Sequence, residues 1–419
     1  MSTSANSAPP TGFKPAEKRV DFDIALICAL ETEFDAAELV FDERYSRDFG
    51  KESNDKNNYV TGRIGKFNVV LCLLGGKGKV HTAASTAELV SSYKGLQLVL
   101  LVGVCGGVPF PHAETNIPEI ILGDVVISNK LVQSDFGKQK PAESVPYDND
   151  LGRQTKSVRN LLRNLQTESN REKVRRAALE AYNKALSEAQ DRGKYERPPP
   201  ATDILYQSDW QHVHAGMNIA CDCRPVDVNP KICDNAFDTR CDVLGCDDDE
   251  DKVVRRNRLN DPAVTDPAQW AKNIFIGPYV SSDNVIKSAW HREELSRKYK
   301  IAALEMEGAG MWEMVPGLVV KSVSDYGDSH KHKEWQSYAA LLSACTTKAI
   351  LEICTKVDKP DDSKNGGGSR DHFANSGNGP QNNNTGSGNQ TNQQNTGKGT
   401  MNNQQNSGSG TMSFNYGTQ

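Results

Sequence analysis

Short apolar runs alternate with segments of helical periodicity along most of the chain. The first run, Phe22–Leu30, has the composition of a buried strand and is followed by a helical pattern from Phe34 to Leu39. Three further strand-like runs come later in the chain: Leu96–Gly107, Ile121–Ser128 and Leu318–Val323. A last helical pattern ends near Ile353. Strands that alternate with helices in this way predict an α/β sheet with helices on both faces.

A hairpin and a glycine-rich loop are predicted between the first two strand-like runs. Tyr59–Leu74 has the pattern of two strands joined by a turn at Gly65 and Lys66. The segment GGKGKVHTAASTAELV follows, in which a glycine-rich loop leads into a helix with small, closely packing residues. Such a loop can bind phosphate through backbone N–H groups, but its spacing is that of neither a P-loop nor a dinucleotide fingerprint. We therefore interpret it as a tight packing turn.

Acidic residues stand at the ends of three apolar segments. Glu33 follows the first run, LEMEGAG contains Glu305 and Glu307, and LVVKSVSD ends at Asp325. In an α/β sheet, ligands bind where the carboxyl ends of the strands meet. Burial of an ionised carboxylate costs free energy, because the charge loses its contact with water. Two acids at the ends of adjacent apolar runs would carry this cost with no structural reason, so we predict that Glu307 and Asp325 are functional. We interpret Glu305 as a surface residue.

Two other features accompany these acids. The run LQLVLLVGVCGG ends in a glycine cluster that lets a ligand approach the backbone at Gly106 and Gly107. His330, Lys331 and their two successors crowd the start of the last helix. They form either a solvated helix entry or a basic cluster for ligand phosphates, and the sequence leaves both interpretations open.

The region from Pro141 to Pro262 differs in character from the rest. Ser157–Gln190 predicts a long, charged helix or helix pair that is polar enough to be largely solvated. Several potential metal ligands follow it: His212, His214, Cys221, Cys223, Cys233, Cys241 and Cys246. A zinc site is one alternative, but no C-x-x-C pair occurs and the spacing matches no standard zinc framework, so we predict no metal. We treat residues 141–262 as an insertion at the entrance of the site.

Charge and composition narrow the class of partner. The net charge is −5 with a sequence pI near 6.0, so there is no electrostatic case for nucleic acid or an anionic membrane, and a small ligand fits better. The N-terminal stretch 1–20 is polar, lacks the apolar core of a signal peptide and is predicted to be disordered. No run approaches the ~18 apolar residues of a membrane span. We therefore expect a cytoplasmic protein with mostly reduced cysteines.

Six motifs, taken in order, resemble the purine/uridine phosphorylase superfamily: GKGKVHTAAS, GVCGGVP, LGDVVIS, IGPYVSSDNVI, LEMEGAG and VSDYGDSHKHKEWQSYAA. Within it they are most similar to fungal phosphorylase-like domains of nucleotide-binding signalling receptors and to methylthioadenosine/adenosylhomocysteine nucleosidases. The resemblance runs from about Asp21 to Glu352 and is interrupted by the insertion. It implies a three-layer αβα sandwich with a mixed, twisted central sheet, forming a catalytic domain over residues 21–356.

The resemblance also gives the acids roles. Asp325 matches the general acid that protonates purine N7, and Glu307, with Met306, matches the group that binds the ribose hydroxyls. Glu33 matches the nucleosidase carboxylate that positions or activates water. The remaining substrate contacts implied are Ser324, Val285, Ile286, Gly106 and Gly107. A departing purine needs a proton, and an oxocarbenium-like sugar gains from nearby negative charge, so these roles agree with the chemistry. No cofactor is implied.

One departure from the superfamily bears on the nucleophile. Phosphorolytic members of the hexameric branch hold phosphate with an arginine and a serine where this chain has Leu101 and Val104. Neither side chain can bind an anion, which favours water and hence a purine nucleosidase acting on a nucleoside or on a nucleotide such as ATP. A phosphorylase and a non-catalytic nucleoside sensor are the alternatives. The resemblance also leads us to expect a homo-oligomer.

The tail, residues 357–419, is rich in Asn, Gln, Gly, Ser and Thr. It contains an eleven-residue repeat: NTGSGNQTNQQ from Asn384, NTGKGTMNNQQ from Asn395 and NSGSGTMSFNY from Asn406, with a weaker start at Asn375. Such a repeat suits stacked Asn and Gln side chains in a cross-β array and resembles the prion-like amyloid motifs of fungal immune signalling. We therefore predict a cell-death or immune effector triggered by a receptor with a similar motif. An inert flexible tail is the alternative.

Overall fold

The structure is a computed structural model that describes residues 9–139, 144–146, 151, 154–214, 222–223, 231–246, 253–254, 256–261, 266, 270–271, 273–315, 317–331, 333–357, 390–395 and 401–406. The chain divides into two units, Met1–Val357 and Asp358–Gln419.

The first unit contains eleven strands and nine helices within the described residues. The strands are β1 Ile24–Cys28, β2 Glu43–Arg44, β3 Tyr59–Ile64, β4 Phe67–Leu73, β5 Leu98–Gly107, β6 Val125–Gln133, β7 Gly137–Gln139, β8 Ser144–Pro146, β9 Ile274–Ser281, β10 Ala303–Glu305 and β11 Gly317–Asp325. The helices are α1 Glu31–Leu39, α2 Lys79–Ser92, α3 Lys156–Leu165, α4 Glu168–Glu188, α5 Asp234–Asp238, α6 Cys241–Leu244, α7 Ala289–Tyr299, α8 Gly308–Met314 and α9 Gln336–Ile353.

Nine strands form one mixed sheet in the order β10-β9-β6-β11-β5-β1-β4-β3-β2. The pairs β1–β4, β1–β5, β5–β11, β6–β9 and β9–β10 are parallel, whereas β6–β11 and the β2–β3–β4 ladder are antiparallel. Helix α9 packs against β5 and β11 and contacts α1 and α4, while α2 packs against α8. The predicted α/β fold with a mixed central sheet is confirmed.

Strand β5 changes its neighbour along one edge, and this change creates the site. Its first half pairs with β1 through Leu98–Leu101, but Gly106 and Gly107 pair with β10 in the antiparallel sense. Strand β11 follows the other edge of β5 over nearly its whole length. A gap therefore opens between β1 and β10 beside the middle of β5, at a switch point of the kind where α/β sheets bind ligands.

Strand β11 delivers a carboxylate to this gap. All nine of its residues are buried, as the β-branched run in the sequence predicts. Its register with β5 shifts between Val323 and Asp325, so Val323 lies opposite Cys105 and Asp325 opposite Gly106. An irregularity of this type re-aims the side chains that follow it.

Most predicted elements are confirmed with shifted ends. The hairpin is present as β3 and β4 with its turn at Gly65 and Lys66, and the charged stretch is a helix pair, α3 and α4. The expectation that this pair is largely solvated is wrong. Helix α4 packs along α9 through small residues and one aromatic ring, which are buried: Ala177, Ala178, Ala181, Tyr182 and Ala185. Alanine contributes too little to the apolar pattern for the sequence to reveal this face.

The cysteine-rich part of the insertion has a small core of its own. Tyr206, Ala236, Leu244 and Cys246 form a cluster separate from the main core, near the short helices α5 and α6. The boundaries of the insertion and of the N-terminal segment stay predictions, and residues 1–8 lie outside the described part of the chain. None of the helices described is long and apolar enough to cross a membrane.

The second unit contains one antiparallel pair, β12 Gln390–Asn395 and β13 Met401–Asn406. The strands begin eleven residues apart, so each falls at a corresponding position of successive sequence repeats. Gln393 pairs with Asn403 and Asn392 with Gln404, which places amide residues opposite amide residues. Repeat positions outside 390–395 and 401–406 lie beyond the described residues, and cross-β assembly stays a prediction.

Candidate active site

The three acids with predicted roles line one cavity of about 580 Å³ at the β5 switch point. Glu33 comes from the start of α1, Glu307 from the turn between β10 and α8, and Asp325 from the end of β11. Two buried charged residues, Glu305 and Lys321, line the same cavity. Elements far apart in the chain thus bring four carboxyl groups and one buried ammonium group to one place.

Glu33 is fixed by backbone donors. Its Oε2 accepts hydrogen bonds from the N–H groups of Ala29 and Leu30 at 2.8 and 3.0 Å, and Oε1 accepts one from Val104 N–H at 2.8 Å. The carboxylate can approach β5 so closely because residue 103 is glycine, since a Cβ there would lie 2.1 Å from Oε1. The position of Glu33 therefore depends on the backbone of both β5 and the β1–α1 turn.

The surroundings of Glu33 make its carboxyl group a stronger base than an ordinary glutamate. Burial raises the pKa of Glu33 from its usual 4.5, and the negative charge of Glu307 adds to the rise. Lys321 and the N–H groups of Val104 and Ala29 oppose the rise without cancelling it. A raised pKa suits a group that removes a proton from water.

Glu305, Glu307 and Lys321 form a buried charged triad. Lys321 Nζ lies 2.7 Å from Glu307 Oε2 and 3.3 Å from Glu305 Oε2. Glu305 Oε2 also accepts the N–H groups of Glu307 and Gly308 at 2.9 and 2.7 Å, whereas its Oε1 is buried without a hydrogen-bond partner. The interpretation of Glu305 as a surface residue is wrong, because Lys321 on strand β11 compensates its charge inside the protein.

Lys321 and Glu307 each favour the charged form of the other. Burial lowers the pKa of Lys321, but Glu307, Glu305 and Glu33 together raise it above its usual range. Burial raises the pKa of Glu307, but the Lys321 ammonium and the backbone N–H donors more than offset this, so the pKa is lowered. Lys321 was missed in the sequence, although a lone lysine in a β-branched buried run is the signal that could have identified it.

The glycine-rich loop contacts the triad. Gly78 N–H donates to Glu307 Oε1 at 3.2 Å. Gly78 has φ +95°, a conformation that side-chain-bearing residues rarely adopt, and it precedes the first residue of α2. The Gly78 N–H therefore donates to a carboxylate of the protein and not to a phosphate group.

Asp325 is held by three donors. Gly327 N–H donates to its Oδ1 at 2.9 Å, and the Ser324 hydroxyl donates to Oδ2 at 3.2 Å. Lys331 Nζ lies 3.0 Å from the same Oδ2. Gly106 packs beside the carboxyl group, and a Cβ there would lie 3.3 Å from Oδ1.

The other predicted contacts lie in three different places. Val285, Met306, Ser324 and Gly106 line the cavity with the acids, and Val285 is 49% exposed. Ile286 lines a smaller adjoining cavity of about 50 Å³ that also contains Asp325. Gly107 is not among the described lining residues of either cavity, because it faces the core, where a Cβ would lie 2.6 Å from Val323 Cγ1. The roles of all these residues stay predictions.

A group of cations surrounds the acids. Lys77, Arg240, Lys287, Lys331 and Lys333 line the cavity, and each is exposed or only partly buried. We call this set the cation ring. Of the basic cluster in the sequence, Lys331 and Lys333 belong to it, His330 is buried against Tyr206, and His332 lies outside the described residues. Arg240 was missed because no local pattern shows which residues of the insertion reach the cavity, and Lys287 was missed although it directly follows the predicted contact Ile286.

Residues 23–185 match the sequence model of the Phosphorylase superfamily. A nucleotide-binding leucine-rich repeat (NLR)-like protein of Hyaloscypha variabilis is 26% identical over 346 residues, which are 81% of this chain. A 5'-methylthioadenosine/S-adenosylhomocysteine nucleosidase of Mycobacterium bovis is 34% identical over 87 residues, which are 21% of this chain. The chain spans 30% of the length of each of these two relatives.

Among solved structures, the futalosine hydrolase of Helicobacter pylori matches 80% of this chain and 100% of its own, with 15% identity and a TM-score of 0.44. The 5'-methylthioadenosine/S-adenosylhomocysteine nucleosidase of the same organism matches 80% of this chain and 99% of its own, with 15% identity and a TM-score of 0.43.

Proposed function

We propose that this chain, of which residues 23–185 match the sequence model of the Phosphorylase superfamily, is a nucleosidase that hydrolyses the N-glycosidic bond of a purine nucleotide or nucleoside. The observation that carries the proposal is the arrangement of Glu33, Glu307 and Asp325 around one cavity. A domain that only bound a nucleoside would have no need of a buried base with a raised pKa.

The proposed reaction uses an acid and a base. Asp325 gives a proton to purine N7, so that the bond between the base and C1′ breaks and its electron pair leaves with the base. Glu33 takes a proton from the water that attacks C1′, and solvent restores both groups. Glu307 accepts hydrogen bonds from the ribose hydroxyls and lies beside the fully buried Glu305. Their negative charge stabilises the oxocarbenium-like sugar.

Water is the proposed nucleophile because the phosphate-binding side chains expected of a phosphorylase are missing. Leu101 is fully buried in β5 and pairs with β1, and Val104 lines the cavity with an apolar side chain. The members of the cation ring line the same cavity as the acids, are exposed or partly buried, and fit the phosphate groups of the substrate itself. We therefore propose a nucleotide such as ATP as the better substrate and a nucleoside as the poorer one.

A substrate panel tests this proposal. Purified protein is incubated with adenosine, inosine, methylthioadenosine, AMP and ATP, each with and without inorganic phosphate, and free base is measured by chromatography. We expect base release without phosphate and a higher kcat/KM for AMP or ATP than for adenosine. Release that requires phosphate would make the protein a phosphorylase, and binding without release would make it a sensor.

Substitution of Glu33 by Gln should lower kcat by about 10²–10⁴-fold, because an amide cannot accept the proton of the attacking water. The pH profile carries a second expectation. Since the base must be ionised, wild-type activity should rise with pH through an apparent pKa above 4.5, the usual value for glutamate. Profiles of kcat/KM against pH for both proteins measure this.

The matched control for Glu33→Gln is Glu31→Gln, in the same first turn of α1 but exposed. Its rate and profile should equal those of the wild type. An unchanged rate in Glu33→Gln, with folding verified by circular dichroism, would remove Glu33 from the mechanism.

We propose further that the tail controls this activity as part of an immune or cell-death response. Two observations support the proposal: the eleven-residue repeat with its paired amide strands, and the similarity of 81% of the chain to an NLR-like fungal protein. Templated stacking of tails by a receptor with a similar motif would gather catalytic domains and raise their local concentration. The partner is then an amyloid-motif-bearing receptor.

Seeding tests the role of the tail. A peptide of residues 375–419 should form fibres with the ~4.7 Å spacing of cross-β structure. These fibres, added to the full-length protein, should sediment it and increase base release, while a protein ending at residue 357 should not respond. If the peptide gives no fibre diffraction, or seeding changes neither sedimentation nor activity, the tail is an inert extension.

A further inference from the structure

Two histidines and two cysteines lie close together beside the catalytic cavity. Cys246 Sγ lies 3.2 Å from His212 Nδ1, and Cys241 Sγ lies 3.6 Å from the same nitrogen. The potential ligand atoms of His212, Cys246 and His330 all lie within 4.8 Å of one another. Three of these residues belong to the insertion, whereas His330 belongs to the loop that follows Asp325. The insertion and the catalytic loop therefore meet at this cluster.

The distances from His212 Nδ1 to the two thiols fit a tetrahedral metal centre. Zinc binds sulfur at about 2.3 Å and imidazole nitrogen at about 2.0 Å, so nitrogen and sulfur ligands of one tetrahedral ion lie about 3.5 Å apart. The two N···S distances here, 3.2 and 3.6 Å, lie on either side of that value. Two thiolates and two imidazoles are also a common ligand set of structural zinc.

The ring of His212 is oriented as metal-binding histidines usually are. Its Nε2 lies 2.8 Å from the carbonyl oxygen of Thr239, which accepts a hydrogen bond from that nitrogen. In the neutral ring, Nδ1 then carries no proton, and its lone pair faces the thiols of Cys241 and Cys246. A backbone carbonyl on the far ring nitrogen is a frequent partner of a histidine ligand and fixes its tautomer.

His330 supplies an independent indication of a ligand. The residue is 5% exposed, and its Nε2 is buried without a hydrogen-bond partner. Its ring stacks on Tyr206 with centroids 3.9 Å apart, and it lies edge-on to His212 at 5.3 Å. A buried nitrogen without a partner destabilises a protein by about 1–3 kcal/mol, and a bound ion would satisfy it.

We propose that His212, Cys241, Cys246 and His330 bind one zinc ion that joins the insertion to the catalytic loop. The two thiols bind as thiolates and release their protons to solvent. Four protein ligands fill the tetrahedron, so the ion has a structural role and leaves no position for water. Lys331, which contacts Asp325, follows His330 directly, so the ion fixes the loop that positions the catalytic carboxyl group. This proposal replaces the sequence-based expectation of no metal.

Metal content tests the proposal without reference to activity. The full-length protein is purified without chelators, and zinc per chain is measured by mass spectrometry for the wild type and for Cys241→Ser/Cys246→Ser. The double variant should contain one zinc equivalent fewer. Equal zinc in the two proteins, or no zinc in the wild type after incubation with ZnCl₂, would mean that the cluster is held only by thiol–imidazole hydrogen bonds.

His214, Cys223 and Cys233 form a second set of potential metal ligands. The test therefore uses the difference in zinc content between the double variant and the wild type, and not the absolute zinc content. Cys354→Ser, which changes a partly buried thiol just after α9, is the control and should retain all its zinc. If the double variant fails to fold, Co²⁺ loading of the folded wild type and of His330→Ala replaces it. Tetrahedral Co²⁺ bands that are weaker or shifted in His330→Ala support the site, and identical spectra overturn it.

Discussion

Asp325→Asn should lower kcat by about 10²–10⁴-fold, the usual contribution of a general acid. The amide keeps the size of the side chain, and its oxygen can still accept the hydrogen bond from Gly327 N–H while its NH₂ group donates to the Ser324 hydroxyl oxygen. It cannot supply the acidic proton that purine N7 needs, so the base becomes a poor leaving group. KM should change much less than kcat, because N7 is protonated in the transition state and not on binding.

Asp48→Asn is the matched control for this variant. Asp48 is exposed, and its carboxylate accepts only the local N–H of Gly50 among the contacts described. Its activity should equal that of the wild type. A substrate with an activated leaving group, such as p-nitrophenyl riboside, adds a sharper criterion. Asp325→Asn should lose much less activity on it, and an equal loss on both substrates would show that Asp325 serves folding or binding and not proton transfer.

Lys321→Met should destabilise the first unit by about 3–5 kcal/mol, because it removes the ammonium that compensates two buried carboxylates. Glu305 and Glu307 are both buried, and Lys321 Nζ lies within 3.3 Å of an oxygen of each. Methionine fills a similar volume, so the loss reports on charge and not on a cavity. Urea unfolding followed by circular dichroism at pH 7 gives the free energy of unfolding of each protein.

The pH dependence identifies the cause of this loss. The pKa of Glu307 is lowered in the folded protein, so its contribution to stability is present above its usual pKa of 4.5 and is lost as pH falls below it. The deficit of Lys321→Met should therefore be full at neutral pH and shrink as pH falls below about 4.5. Lys173→Met, on an exposed position of α4, should change stability by less than about 0.5 kcal/mol at either pH. A deficit independent of pH would contradict the electrostatic explanation.

The fold was predictable because its main strands are continuous apolar runs. Strands β1, β5 and β11 are buried on both faces, so burial leaves a direct mark in the sequence, and the acids that follow such runs meet at one edge of the sheet. Helix α4 was misjudged because its buried face consists mainly of alanines. The contact between that face and α9 depends on shape, which hydrophobic periodicity does not report.

Site residues could be predicted only where the sequence immediately around them indicates their role. Glu33 and Asp325 follow apolar runs and could be identified from them. The burial of Glu305 depends on its ion pair with Lys321, which lies sixteen residues later on another strand. The proposed zinc ligands also depend on partners that are distant in sequence. Cys241 and Cys246 are close in sequence, but His212 and His330 are separated by the whole cysteine-rich segment and by strands β9 to β11. Spacing rules describe ligands on one or two local elements, so they do not detect a centre assembled across the fold.

The measurement that tests the central claim most directly is the source of the oxygen that replaces the base. Adenosine, AMP and ATP are each incubated with the protein in H₂¹⁸O, and the sugar product is analysed by mass spectrometry at early times, before the anomeric hydroxyl exchanges with solvent. Hydrolysis predicts adenine and a sugar that carries one ¹⁸O at C1, with or without inorganic phosphate. Formation of an unlabelled sugar 1-phosphate that depends on phosphate, or the absence of adenine from all three compounds, would contradict the account.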